Sequence, residues 1–107
     1  MKEDINILDI KNFDEQTKKG NWIIDFWAEW CGPCKMMLPE FEKAAQEMKG
    51  KVKFGKINVD EEYDLAQRFE VMSIPTMILL KNGKEVDRTI GALQKSEIIN
   101  ISNRTFR

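Results

Sequence analysis

The 107-residue sequence contains no histidine and only two cysteines. Without histidine the chain alone can assemble no Ser-His-Asp or Cys-His catalytic set and no imidazole-bearing metal centre. Two cysteines are also too few for the disulfide framework on which small secreted domains depend. Proline (3) and glycine (6) are sparse, and no repeat, low-complexity tract or flexible linker divides the chain. An excess of either charge is missing: Lys+Arg 17 stand against Asp+Glu 18, a net charge of -1. That balance supplies no field to hold nucleic acid or an anionic membrane. Long apolar runs are absent, since the longest, Ile74 to Leu80, is broken by Pro75 and Thr76 and cannot span a bilayer. The opening residues, Met1-Lys2-Glu3-Asp4, carry neither an apolar h-region nor a small-residue cleavage site. What is present, 42% hydrophobic and 33% charged residues, is an ordinary globular composition. The expectation is one domain over residues 1–107, monomeric and kept in a reducing cytosol.

The hydrophobic pattern is that of an α/β protein. Ile5-Asn6-Ile7-Leu8 reads as a short strand, and Asn12 with Glu15 as a capping box opening a polar helix that Gly20 ends. Asn21 to Trp27, rich in β-branched and aromatic residues on both faces, suits a central buried strand. Met37, Phe41, Ala44, Ala45 and Met48 recur at helical spacing and predict a helix over 31–49, kinked at Pro39 and stopped by Gly50. Val52 to Val59 reads as a strand, and Asp60 as the N-cap of a short helix over 61–69 with Leu65 and Phe69 inward. Thr76 to Lys81 and Glu85 to Ile90 read as strands joined through Asn82-Gly83, a strong hairpin signal. A helix from about Gln94 buries Ile98 and Ile101, and its Asn100, Ser102, Asn103 and Thr105 predict fraying near the end. The order βαβαβαββα implies parallel crossovers followed by an antiparallel hairpin at the edge. The fold class is α/β: a central mixed β-sheet with helices on both faces.

Both cysteines fall in Trp30-Cys31-Gly32-Pro33-Cys34-Lys35, between the central strand and the long helix. A zinc or iron–sulfur site needs about four ligands, and two thiols without an imidazole do not supply them. A purely structural disulfide closing so short a loop stabilises by only about 2 kcal/mol. Redox catalysis accounts for the pattern best. A dithiol reductant needs one thiol held as thiolate and a second within reach to resolve the mixed disulfide. Cys31 at the helix N-terminus meets unpaired N–H groups and the positive end of the dipole. Cys34 lies one turn in on the same face. Gly32 leaves the front open, Pro33 is tolerated in the first turn, and Lys35 adds positive charge.

Phe26-Trp27-Ala28-Glu29 followed by Trp30-Cys31-Gly32-Pro33-Cys34-Lys35 resembles the active-site segment of the thioredoxin family. Asp25, Pro39, Lys56-Ile57-Asn58-Val59-Asp60, Ser73-Ile74-Pro75-Thr76, Lys81-Asn82-Gly83 and Gly91-Ala92-Leu93 extend the likeness over essentially the whole chain. The first helix is more polar than is usual there, Glu61-Glu62-Tyr63 stands where a proline often appears, and the last helix is Asn-rich. The resemblance implies the thioredoxin fold and the reduction of protein disulfides, with Cys31 as nucleophile and Cys34 as resolving thiol. It implies no bound cofactor beyond a redox-active Cys31–Cys34 disulfide, and no metal. A separate flavin-dependent thioredoxin reductase would recharge the protein. Clients would be of the kind that includes ribonucleotide reductase, peroxiredoxins and methionine sulfoxide reductases.

Supporting residues read in two ways. Trp30 is either a core aromatic or, as the resemblance implies, a partly exposed platform beside the substrate; Trp27 packs beneath the active-site loop and Trp22 is core. Base rates make the Ile74-Pro75 bond trans, whereas the resemblance implies a cis bond facing the cysteines. By the same carry-over Ile74 offers backbone hydrogen bonds to an extended client, and Val59, Ile90, Gly91 and Ala92 complete an apolar rim. Met36 and Met37 read as packing residues. Asp25 is either a strand-end aspartate open to water or a buried carboxylate beneath the cysteines, with Lys56 as partial partner, poised to take the Cys34 proton. Rivals to the reductase are a binding module that never turns over and a disulfide oxidant or isomerase.

Overall fold

The computed structural model describes residues 4–107; the reading of the first residues falls on Met1-Lys2-Glu3, outside them. The described residues form β1 (Ile5–Ile7), α1 (Phe13–Thr17), β2 (Asn21–Trp27), α2 (Gly32–Glu47), β3 (Lys53–Asn58), α3 (Tyr63–Arg68), β4 (Thr76–Lys81), β5 (Lys84–Ile90) and α4 (Lys95–Thr105). The sheet order is β1-β3-β2-β4-β5. β1, β3 and β2 run parallel, while β4 is antiparallel to both β2 and β5. The antiparallel pairing expected at the edge therefore begins in the middle of the sheet. β2 is central because Trp22 through Phe26 are all buried, as a strand covered on both faces requires.

Alternation along β2 divides the core. Ile23 points with Met77 and Leu79 toward Phe41 and Ala44 of α2 and Ile98 of α4. Trp22, Ile24 and Phe26 point the other way, toward Leu8, Phe13 and Leu65. The hairpin forms as its sequence dictates: Asn82 (φ 50) and Gly83 (φ 83) both take the positive φ that a two-residue turn of this kind needs. The turn is also latched from outside, since the Asn82 N–H donates to Gly20 O and the Asn82 Oδ1 accepts from the Gly20 N–H, each at 2.9 Å.

Three helix ends differ from the sequence reading. Asn12 precedes α1 but does not cap it; its Oδ1 accepts from the Asp9 N–H and its Nδ2 donates to Ile7 O. The side chain is used up in holding the preceding loop, and α1 is only 5 residues long. Asp60 does not cap α3, which starts at Tyr63 after Glu62. Asn58 organises that turn instead, its Oδ1 accepting from the N–H groups of Asp60 and Glu61. α4 opens on a true capping box, Gln94 with Glu97, and continues to Thr105 instead of fraying. Burial of Ile98, Ile101 and Ser102 outweighs the weak propensity of its polar residues.

Candidate active site

Cys31 is the N-cap of α2, extended at φ -88 and ψ 110, and its Sγ accepts the Cys34 N–H at 3.2 Å. The chain turns into the helix at this point because Pro33 presets the first turn where no intrahelical donor is lost. Cys31 and Cys34 are joined in a disulfide with Cα atoms 5.3 Å apart. Both are recessed, 3% and 2% exposed, whereas Gly32, Pro33 and Lys35 are exposed. A Cβ on Gly32 would meet nothing within 4 Å, so the front of the loop is open.

Half-buried Trp27, Val59 and Ile74 pack against Cys31, Cys34 and Ala28. The Cys31 Sγ lies 3.8 Å from the Ile74 carbonyl oxygen. The Ile74-Pro75 bond is cis, as the resemblance implied and against the base-rate reading. Pro75 is buried, and its carbonyl accepts the Gly91 N–H at 2.9 Å, which ties the segment after β5 to the same loop. Ile90 and Ala92 flank this junction and are exposed. Trp27 packs beneath the loop and Trp22 is fully buried, both as read from sequence.

Trp30 is 70% exposed and is not a core aromatic. Its Nε1 donates to Asp60 Oδ2 at 2.9 Å, so the ring is exposed yet oriented. Sequence reasoning missed this role for Asp60, which it had assigned to capping. It also misjudged half of a methionine pair: Met37 is in the core, but Met36 is 74% exposed on the turn that carries the cysteines. Met72, beside the Ile74 loop, went unremarked and is 93% exposed; a large apolar residue in a loop of Ser, Pro and Val was the available signal.

Asp25 is 1% exposed. It lies between Ile23, which faces α2, and Trp27, which packs on the cysteines, so alternation puts it on the α2 face. Lys56 is opposite it in the β2–β3 register, and the Lys56 Nζ stands 5.0 Å over the Trp27 ring. Burial pushes the Asp25 carboxyl up to about 7, and the Lys56 charge only partly opposes this. The Oδ1 has no hydrogen-bond partner among the described residues. The strand-end reading with open water access is thereby set aside. No cluster of three or more His, Cys, Asp or Glu able to hold a metal occurs among the described residues.

A short-loop disulfide at the N-terminus of a helix, packed on a cis-proline loop at one end of a mixed sheet, defines a thiol–disulfide oxidoreductase of the α/β class. The family model described as Thioredoxin matches residues 4–104. The chain is 44% identical to a thioredoxin of Staphylococcus haemolyticus over 93 residues, 87% of this chain and 89% of that protein. It is 44% identical to a thioredoxin of Chlamydia pneumoniae over 100 residues (94% and 97%) and 51% identical to one of Mycoplasma pneumoniae over 79 residues (74% and 76%). The chain belongs to the thioredoxin family, and its chemistry is reversible dithiol–disulfide exchange at Cys31 and Cys34.

Proposed function

We propose that the protein is a general reductant of protein disulfides in which Cys31 attacks and Cys34 resolves. The observation that carries this assignment is the N-cap geometry of Cys31: the Cys34 N–H already points at its sulfur, and the same donor and the helix dipole favour a Cys31 thiolate once the disulfide is reduced. In the first step the Cys31 thiolate bonds to one client sulfur and the other client sulfur leaves as thiolate. Cys34 then gives up its proton and bonds to the Cys31 sulfur, releasing the second client thiolate and leaving the Cys31–Cys34 disulfide. Asp25, with a carboxyl that titrates near neutrality, is the acceptor for the Cys34 proton, reached through water where contact is not direct. Lys56 tempers its charge, Trp27 supports the loop from below, and Gly32, Pro33 and Lys35 set the open, cationic first turn.

Client backbone docks in extended form against Ile74 beside Pro75. Trp30, Val59, Ile90, Gly91 and Ala92 form the surrounding rim. A thioredoxin reductase returns the electrons, and clients include enzymes such as ribonucleotide reductase, peroxiredoxins and methionine sulfoxide reductases. We read the chain as one domain that acts as a cytosolic monomer in electron transport. No helix among the described residues is long and apolar enough to cross a membrane.

Trapping tests the cysteine roles. Cys34→Ser should accumulate mixed disulfides with clients, and Cys31→Ser should form none. Capture by Cys31→Ser in place of Cys34→Ser would reverse the assignment.

A further inference from the structure

The even balance of Lys+Arg 17 and Asp+Glu 18 hides a segregation of charge along the molecule. Three turns meet at the end of the sheet remote from the cysteines. Lys18 and Lys19 precede Gly20, whose backbone is bonded to Asn82 at the hairpin tip, and Lys81 and Lys84 flank that tip. Gly20 and Asn21 share the wall of a depression of about 190 Å³ with Gly50, Lys51 and Lys53 of the turn after α2, which Lys49 opens. All these lysines are exposed, and residues 18–20, 49–53 and 81–84 include no carboxylate. Lys53 and Lys81 lie on β3 and β4, either side of β2, about 10 Å apart and near one Debye length in moderate salt, so their fields add. The neighbouring carboxylates are already engaged: Glu15 with Lys18, Asp4 with Lys49, and Glu85 with Arg88. Lys19, Lys51, Lys81 and Lys84 make no ion pair with a described residue. At the cysteine end the balance reverses, and Asp9, Glu29, Glu61 and Glu62 outnumber Lys56 around one depression.

We propose that this lysine pole is a docking surface for anionic phospholipid bilayers, on which the protein adsorbs reversibly with its cysteine end facing outward. The chemistry and shape of the surface select the occupant. Lysines on the tips of three turns form a blunt end that a flat layer of phosphate headgroups meets all at once. The turns carry no arginine and no aromatic, the residues with which nucleic-acid sites grip phosphates bidentately and stack bases. None of the exposed large apolar side chains lies on them, so nothing inserts among the acyl chains and charge alone holds the protein. The same anionic surface repels the carboxylates of the opposite end. That repulsion fixes the orientation and leaves Trp30 and Cys31 open to clients arriving from solution.

Co-sedimentation with vesicles tests this, using phosphatidylcholine alone or mixed with phosphatidylglycerol, at low and at physiological salt. The wild type should bind only the anionic vesicles, and less as salt rises. Lys51→Gln combined with Lys84→Gln should weaken the partition about twenty-fivefold, at about fivefold for each lysine near the surface. Lys11→Gln combined with Lys43→Gln removes the same charge away from the pole and should leave the partition within about twofold of wild type. Unchanged reduction of a soluble disulfide by both double variants shows that their fold is intact. No binding to anionic vesicles at low salt, or equal losses in the two double variants, would overturn the lysine pole. Shielding of Trp30 from acrylamide on the vesicle would place the cysteine end against the lipid and overturn it too. Tighter binding to duplex RNA than to the vesicles, lost with Lys51→Gln and Lys84→Gln, would give the pole to nucleic acid and overturn the lipid assignment.

Discussion

Asp25 has the clearest consequence at the scale of one residue. Below pH 3.8 its carboxyl is protonated in folded and unfolded chains alike, and burial carries no charge penalty. As pH rises from 3.8 toward about 7 the unfolded chain ionises first, so stability falls; above about 7 both forms are ionised and the loss levels off. The loss is on the order of 4 kcal/mol. Asp25→Asn should flatten this slope, leave the oxidised protein more stable than wild type at neutral pH, and slow resolution by Cys34. Urea titrations across the interval, with single-turnover release kinetics, measure both. A second residue-scale expectation concerns Asp60. Its replacement by Ala should free the Trp30 ring, lowering its fluorescence anisotropy and raising the client KM about fivefold with little change in kcat, the worth of one hydrogen bond. Asp25 was legible because apolar residues enclose it on a strand with no polar face. The Asp60–Trp30 bond was not, since it joins positions 30 residues apart with no shared period.

At the scale of elements, the close approach of β1 to β3 depends on a missing side chain. A Cβ on Gly55 would stand 2.6 Å from Leu8 Cδ1 and 3.3 Å from Asn6 O. Gly55→Ala should therefore destabilise by about 1–3 kcal/mol, read as a lower urea midpoint at unchanged slope. The end of α3 offers the opposite case. The Val71 N–H donates to Ala66 O and the Glu70 N–H to Gln67 O, a Schellman ending with Glu70 at the left-handed position, φ 53. Glu70→Gly should stabilise by about 0.5–1 kcal/mol in the same measurement. Element type and order were readable from hydrophobic spacing, from the density of β-branched residues in β2 and from Asn82-Gly83. Helix ends were less so: the side chains of Asn12 and Asn58 serve loops, and a cap and a loop anchor look alike in sequence.

For the whole molecule, strand order lay beyond the sequence. No local pattern says that β3 inserts between β1 and β2 or that β4 completes the centre; packing of both sheet faces decides that. The cysteine segment was fully legible because its chemistry is carried by neighbouring residues, whereas the depression that Trp30 shares with Val59, Met72 and Ile74 needed the fold to bring distant segments together. The active-site disulfide should act globally as well. Closing its short loop constrains the unfolded chain by about 2 kcal/mol, so reduction should lower the thermal midpoint measurably in calorimetry. Away from the cysteines, the pole of the molecule at the end of α2 offers two turns of very different character. The Asn82-Gly83 tip is held to Gly20 by a reciprocal pair of bonds, and Gly83 packs near Lys18. A side chain at Gly50 would meet only open space, and the length of α2, about 24 Å, separates this turn from the cysteine end. A reporter peptide spliced in at residue 50 should therefore leave turnover intact, while the same splice at residue 83 should unlatch the sheet, making the protein a display scaffold with one permissive port.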